Sequence, residues 1–181
     1  VFLTDALTIE ALKAVDIARI NQQPFFLYLS HYAVHTPLQA DPRFVDKYLQ
    51  QGLDPLEANY ASLVEGMDKS LGEVLDYLEQ HQLAENTLVL FLSDNGGLST
   101  PPLRGGEGYT HNLPLRAGKG SVYEGGIRVP MLAQWTGVIT PDAQTEQPII
   151  VEDVFATIID VAQIKKPNLR PILSIKNPII G

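Results

Sequence analysis

The 181-residue sequence contains no cysteine, which excludes disulfide bonds and zinc sites built on thiolates. Basic residues are also few, since 13 Lys and Arg stand against 21 Asp and Glu and give a formal net charge of −8. An acidic chain without a Lys/Arg cluster is unsuited to nucleic acid or to an anionic membrane surface, so no nucleic-acid partner is predicted. No apolar run approaches the roughly 20 residues that span a bilayer, so no membrane span is predicted. The remaining composition, 45% hydrophobic, is that of one globular domain with a sizeable core.

The apolar pattern predicts helices that alternate with strands. Helices are predicted at about 8–21, with Thr8 as the N-cap, and at 41–50, 56–80 and 149–162; the clearest is 56–80. Residues 25–30, 87–93 and 129–135 are strand candidates, and the first two are continuous apolar runs typical of strands buried on both faces. This alternation predicts an α/β fold, a mostly parallel sheet flanked by helices.

Two loops follow the predicted strands at the edge where open α/β sheets bind ligands. Asp94 and Asn95 come directly after the strand at 87–93 and offer hard oxygen ligands, which Ca²⁺ or Mg²⁺ prefers. Taken alone, Asp-Asn-Gly-Gly is more often an ordinary turn. His35 follows the strand at 25–30 and is a candidate general acid or anion ligand, although a loop histidine usually makes only ordinary hydrogen bonds.

A glycine-rich stretch runs from 94 to 126 and is longer than most loops inside a compact domain, which favours a functional role. Lys119 stands between two glycines there and can reach an anion as a point charge; the alternative is a solvated lysine. His111 lies in the same stretch and is a weaker candidate for contact with substrate.

Three blocks in order resemble the sulfatases of the alkaline-phosphatase superfamily. They are FFLYLSHYAVHTPLQ at 25–39, LSDNGG at 92–97 and NLPLRAGKGSVYEGGIRVP at 112–130. The resemblance matches His35 to a substrate-contacting histidine, Asp94 and Asn95 to metal ligands, and Lys119 to the sulfate-binding lysine. It covers residues 1–167, as part of a catalytic domain, whereas the tail at 168–181 does not match.

This resemblance implies hydrolysis of sulfate monoesters by a formylglycine held on Ca²⁺, with Mg²⁺ as the alternative ion. It assigns His35 and Lys119 to catalysis and sulfate binding, with His111 as a further substrate contact. The implied substrate is a small sulfate ester or a sulfated sugar, and the implied location is periplasmic or secreted.

The departures from the family pattern concern the nucleophile. Sulfatases carry an earlier block with an Asp-Asp metal pair and a Cys or Ser, followed by Pro and Arg, that becomes formylglycine. This sequence has no cysteine and no serine followed by x-Pro-x-Arg. We therefore expect a piece of a larger enzyme, starting inside the domain at Val1, inactive alone and prone to self-association. The alternatives are a phosphatase or phosphonate hydrolase of the same superfamily, or a non-catalytic fragment.

Overall fold

A computed structural model describes residues 1–99 and 112–164 of the chain. The chain divides into two compact units, Val1–Ile139 and Thr140–Gly181. The elements in chain order are α1 (Leu3–Ile20), α2 (Val45–Gln50), α3 (Pro55–Gln80), a 3₁₀ turn (Ala84–Asn86), β1 (Val89–Leu92), α4 (Glu124–Ile127), β2 (Met131–Gln134) and α5 (Val151–Val161). The tail predicted not to match the family, 168–181, lies outside these described ranges.

Helix α3 is the scaffold of the first unit, and the predicted helix at 56–80 is confirmed. Its start is fixed by Asp54, whose carboxylate accepts a hydrogen bond of 2.9 Å from the Leu56 N–H, and by Pro55, which has no N–H to leave unpaired. Both α1 and α2 pack against it. Small residues recur every fourth position on its buried face: Ala58, Ser62, Gly66 and Ser70. Small side chains on that face let neighbouring chain segments approach α3 closely.

The start of α1 was predicted wrongly. The helix begins at Leu3, five residues before the expected N-cap at Thr8. Thr8 is fully buried inside the helix, where its hydroxyl donates to the Thr4 carbonyl at 2.8 Å and shares a 2.6 Å hydrogen bond with the Ser70 hydroxyl of α3. The sequence alone does not show whether a threonine hydroxyl caps a helix or bonds to the carbonyl of the preceding turn. The packing of Thr8 against α3 places it inside the helix.

The sheet within the described ranges has two strands, β1 and β2, that run antiparallel with Val89 opposite Gln134 and Leu92 opposite Met131. The predicted parallel arrangement is not confirmed by this pair. The predicted double-sided burial is wrong for β1, since Leu92 is 41% exposed and its other residues are only half-buried. The indole N–H of Trp135 donates to the Glu85 carbonyl at 2.9 Å and ties the end of β2 to the 3₁₀ turn.

The segment 25–30 is extended but is not a strand of this sheet. Its backbone makes no hydrogen bond to any other described residue, and a strand requires a paired neighbour. Its side chains alternate, with Phe25, Leu27 and Leu29 half-buried, whereas Phe26 is 72% exposed and Tyr28 is 82% exposed. The prediction of a strand buried on both faces is therefore wrong for this segment in the present structure.

Asp41 joins the loop after this segment to α1 and α3. Its carboxylate is fully buried and accepts bonds from the Arg43 amide at 3.0 Å and the Arg43 Nε at 2.9 Å. The Asp41 N–H donates to the Ser62 hydroxyl of α3 at 3.0 Å, and Arg43 also reaches Asp5 of α1 at 2.8 Å. The hydrogen bonds from the Arg43 guanidinium lower the pKa of Asp41.

His31 is a second titratable group in this packing. Its Nε2 lies 3.2 Å from the Ser70 hydroxyl of α3. Its Nδ1 is buried with no hydrogen-bond partner among the described residues. Burial lowers the pKa of His31 below its usual 6.5 because the charged form loses water.

We expect acid to destabilise the chain in two steps. The folded state holds His31 neutral, so the unfolded chain binds more protons once the pH falls below about 6.5, and the free energy of unfolding decreases there. Asp41 has a lowered pKa, so its contribution is present above about pH 4 and is lost as the pH falls further. Urea unfolding between pH 7.5 and 3 measures both steps.

Two substitutions separate the steps. His31→Asn is expected to remove the upper step, and Asp41→Asn to remove the lower step and cost about 2 kcal/mol at neutral pH. Asp68→Asn, at an exposed position of α3, serves as the control and should leave the profile unchanged. An unaltered upper step in His31→Asn would mean that another group titrates there.

The second unit contains α5, Val151–Val161. The Asp153 carboxylate accepts a 2.9 Å hydrogen bond from the Ile150 N–H and so satisfies a free donor at the start of the helix. The helix predicted at 149–162 is confirmed within two residues at each end. None of the helices in the described part of the chain combines the length and the apolar character needed to cross a membrane.

Candidate functional site

The turn after β1 carries the two predicted metal ligands. Asp94 is exposed and Asn95 is half-buried, and both follow the end of the strand directly, as the sequence predicted. The Ser93 hydroxyl donates to the Asn95 carbonyl at 2.8 Å and closes the turn. The local fold therefore leaves the Asp94 carboxylate accessible.

The loop at 112–126 packs directly on this turn. The Gly96 N–H donates to the Gly126 carbonyl at 3.0 Å, and the Lys119 N–H donates to the Gly97 carbonyl at 3.0 Å. These two bonds join segments more than 20 residues apart in sequence. They hold the backbone of Lys119 beside the turn that carries Asp94 and Asn95.

Asn112 provides a side-chain bridge between the same segments. Its Oδ1 accepts from the Gly97 N–H at 3.1 Å, while its Nδ2 donates to the carbonyls of Gly97 at 3.0 Å and Ala117 at 3.1 Å. Sequence reasoning did not assign this residue a role. The only sequence feature that pointed to Asn112 was its position as the first residue of the block that carries Lys119.

Four glycines make this packing sterically feasible. A Cβ added at Gly96, Gly118, Gly125 or Gly126 would lie closer than 3.0 Å to a backbone carbonyl oxygen of a neighbouring segment. At Gly96 that oxygen belongs to Gly125, and at Gly125 it belongs to Ala117. The glycines of this region thus permit close backbone contact and do not merely supply flexible turns.

The loop also presents two cations that have no carboxylate partner within the described ranges. Among the described residues, six Lys and Arg side chains form ion pairs: Lys13, Arg19, Arg43, Lys47, Lys69 and Arg128. Over the same ranges Arg116 and Lys119 form none. The guanidinium carbon of Arg116 lies 3.7 Å from the centroid of the Tyr123 ring. Both cations therefore remain available to an anion from outside the chain.

His35 lies in the loop after the extended segment and is exposed. Its Nδ1 is 2.9 Å from the Thr36 carbonyl. A carbonyl oxygen only accepts, so this bond requires the proton on Nδ1 and leaves Nε2 open to a substrate. No hydrogen bond links His35 to the Asp94 turn or to the Lys119 loop among the described residues, so the predicted cluster of all four side chains stays a prediction. The weaker candidate, His111, lies outside the described residues.

The donor set at the turn matches a hard divalent cation in kind. Asp94 contributes carboxylate oxygens and Asn95 an amide oxygen, which suit Ca²⁺ and Mg²⁺. Ca²⁺ takes about six to eight oxygen ligands, more than these two side chains supply. Nowhere in 1–99 and 112–164 do three or more His, Cys, Asp or Glu side chains cluster as a metal site. These two residues are therefore compatible in kind with Ca²⁺ or Mg²⁺ and too few to hold either ion alone.

Comparisons with known proteins relate this geometry to a family. The family model for Sulfatase matches residues 3–164. The chain is 37% identical to a protein named sulfatase from Formosa agariphila, covering 92% of this chain and 31% of that protein. It is 39% identical to the steryl-sulfatase of Rattus norvegicus, covering 90% of this chain and 27% of that protein. The chain thus spans about a third of the length of the curated relatives it matches.

The fold agrees with the sequence match. The structure superposes on the crystal structure of Ps i-CgsB in complex with k-i-k-neocarrahexaose with a TM-score of 0.83 at 36% identity, covering 91% of this chain and 35% of that one. This superposition supports the predicted alkaline-phosphatase-like fold class. Because the family model matches most of the chain, from residue 3 to residue 164, this chain belongs to the sulfatase family.

Proposed function

We propose that this chain forms part of the active site of a sulfuric ester hydrolase that cleaves sulfate monoesters. The observation that carries the proposal is the 3.0 Å hydrogen bond between the Lys119 N–H and the Gly97 carbonyl. It holds the backbone of Lys119, which forms no ion pair among the described residues, beside the turn that contributes Asp94 and Asn95. A lysine anchored next to oxygen ligands for a divalent ion is suited to a sulfate ester, whose oxygens carry negative charge.

Each residue has a role that follows from its chemistry. Lys119 stabilises the charge on the sulfate oxygens, and the glycines around it keep its position fixed. His35 is oriented by its Nδ1–H bond to Thr36, and as the imidazolium, which carries a proton on both ring nitrogens, it donates the Nε2 proton to the leaving alcohol. Asp94 and Asn95 would hold Ca²⁺, or alternatively Mg²⁺, which when bound supplies further positive charge beside the ester. His111 is retained as a candidate substrate contact.

The nucleophile in this proposal is a formylglycine from a block that these 181 residues do not contain. The sequence has no cysteine and no serine followed by x-Pro-x-Arg. The proposed substrates are small sulfate esters or sulfated sugars, in a periplasmic or secreted location. The exposed Phe26 and Tyr28 beside an unpaired backbone support the further proposal that the chain self-associates when isolated.

The 181-residue chain alone is expected to show no multiple turnover of p-nitrophenyl sulfate, because positioned charges without a nucleophile give only residual acceleration. A hybrid enzyme is expected to restore turnover. It carries residues 3–164 of this chain in place of the matching segment of the Formosa agariphila sulfatase. Release of p-nitrophenol with and without a Ca²⁺ chelator measures both expectations.

The unaltered Formosa protein and a hybrid with Asp94→Ala are the controls. The first shows that the assay works, and the second should lose chelator-sensitive activity. Turnover by the isolated chain would disprove the assignment of the nucleophile. A folded hybrid that hydrolyses p-nitrophenyl phosphate but no sulfate ester would favour the phosphatase alternative, and a folded hybrid inactive on both would favour the non-catalytic alternative.

A further inference from the structure

Over the described residues Arg116 forms no ion pair, whereas the arginines at 19, 43 and 128 each pair with a carboxylate. Acidic residues outnumber basic ones by 21 to 13, so most cations find a carboxylate. The loop itself contains Glu124, but that carboxylate pairs with Arg128 at 3.2 Å. Arg116 instead lies against the ring of Tyr123. An arginine kept free of carboxylates on an acidic chain is available to an anion from solution.

The backbone fixes both members of the Arg116–Tyr123 pair. The Arg116 carbonyl accepts from the Gly125 N–H at 2.9 Å, and the Tyr123 carbonyl accepts from the Gly126 N–H at 2.8 Å. A guanidinium stacked on a ring keeps its N–H edge free, and this planar fork suits bidentate bonds to a sulfate. Tyr123 is 45% exposed, so part of its ring is also open to the face of a sugar. The stacking contact restricts the guanidinium, so less side-chain freedom is lost on binding than for an unstacked arginine.

We propose that Arg116, held against Tyr123, binds a second sulfate group of an oligosaccharide whose ester sulfate is bound at Lys119. This inference rests on the proposed function, in which Lys119 binds the sulfate that is cleaved. Arg116 and Lys119 are three residues apart, so their Cα atoms lie at most about 11 Å from each other. Neighbouring units of one oligosaccharide span such a distance. An aryl or steryl monosulfate carries a single anion and makes no use of a second cation.

The relatives by themselves leave this choice open. At similar identity the chain matches a steryl-sulfatase and a protein crystallised with a carrageenan hexasaccharide. Arg116 is a second cation on the Lys119 loop without an ion pair among the described residues, which favours an oligosaccharide with more than one sulfate.

Calorimetric titration of the 181-residue chain at low ionic strength tests the proposal. The probes are k-i-k-neocarrahexaose, the same hexasaccharide after chemical desulfation, and p-nitrophenyl sulfate. We expect Arg116→Gln to weaken binding of the sulfated hexasaccharide about tenfold. The affinity for p-nitrophenyl sulfate should stay within about twofold of wild type. Arg116→Lys keeps the charge without the planar guanidinium, so its affinity for the sulfated hexasaccharide should lie between those of wild type and Arg116→Gln.

Arg128→Gln is the matched control, because Arg128 is an exposed arginine directly after α4 with a carboxylate partner, and it should change neither affinity by more than about twofold. Lys119→Gln should weaken the binding of both sulfated probes. The desulfated hexasaccharide should bind to wild type no more tightly than it binds to Arg116→Gln. Melting temperatures of all variants check folding. If Arg116→Gln does not fold, Arg116→Lys carries the comparison.

The outcomes separate this inference from the proposed function. Equal hexasaccharide affinities in Arg116→Gln and Arg128→Gln overturn the inference, and so does a wild-type chain that binds the hexasaccharide no better than its desulfated form. A loss on Lys119→Gln alone leaves the proposed function standing without the second subsite. No effect of Lys119→Gln on either probe, or no binding of either sulfated probe by wild type, contradicts both.

Discussion

Lys119→Ala in the hybrid enzyme is expected to lower kcat/KM for p-nitrophenyl sulfate by about 100- to 1,000-fold. Removal of one positioned group that stabilises charge in a transition state typically costs this much. The ammonium of Lys119 has no carboxylate to neutralise it among the described residues, and its backbone is fixed to Gly97. Steady-state kinetics at saturating Ca²⁺ measures the loss.

Lys13→Ala is the control for this substitution, because Lys13 forms an exposed pair with Glu10 on α1, and it should change kcat/KM by less than about twofold. Lys119→Arg should retain part of the activity, since the charge remains while its position changes. If kcat/KM of the Lys119→Ala hybrid stayed within about threefold of that of the parent hybrid, Lys119 would have no place in the proposed mechanism.

Gly96→Ala is expected to separate the loop at 112–126 from the turn after β1. The added Cβ would overlap the Gly125 carbonyl oxygen, which is backbone and has little room to move. We expect a loss of about 3 kcal/mol in the free energy that holds the loop in place. Hydrogen exchange at the Lys119 amide, which donates to Gly97, should become correspondingly faster. In the hybrid enzyme the same substitution should lower activity through misplacement of Lys119.

Gly72→Ala provides a matched control within the same chain. Gly72 lies in α3, and an added Cβ there meets nothing within 4 Å. Replacement of an unstrained helical glycine by alanine should stabilise the chain by about 0.5–1 kcal/mol. If Gly96→Ala left the Lys119 amide as protected as Gly72→Ala does, the close contact between Gly96 and Gly125 would not hold the loop.

Acid destabilisation and the loop experiments report on different parts of the first unit. His31 and Asp41 act in the packing of α1, α3 and the loop between them, whereas Gly96 and Lys119 act where the glycine loop meets the turn after β1. Substitutions at the first pair should change the pH profile of stability without changing the exchange of the Lys119 amide. Substitutions at Gly96 should speed exchange of the Lys119 amide without changing the pH profile of stability.

Local patterns in the sequence determined several features by themselves. The period of apolar residues determined α3 and α5, and the order of a strand followed by Asp-Asn-Gly-Gly located Asp94 and Asn95 at the end of β1. The three blocks also identified the family to which the chain belongs. These features depend on residues within a few positions of each other, where periodicity, caps and turn preferences act.

The tertiary structure alone decided the features that join distant segments. It decided that β1 pairs antiparallel with β2, that 25–30 lacks a paired neighbour among the described residues, and that Thr8 bonds to Ser70 across 62 positions and not to the start of its helix. It also decided that Asn112 bridges Gly97 and Ala117 and that Arg116 has no carboxylate partner within the described ranges. Backbone pairing and ion pairing depend on which groups meet in space, and a local pattern records only what a residue can do, not which partner it finds.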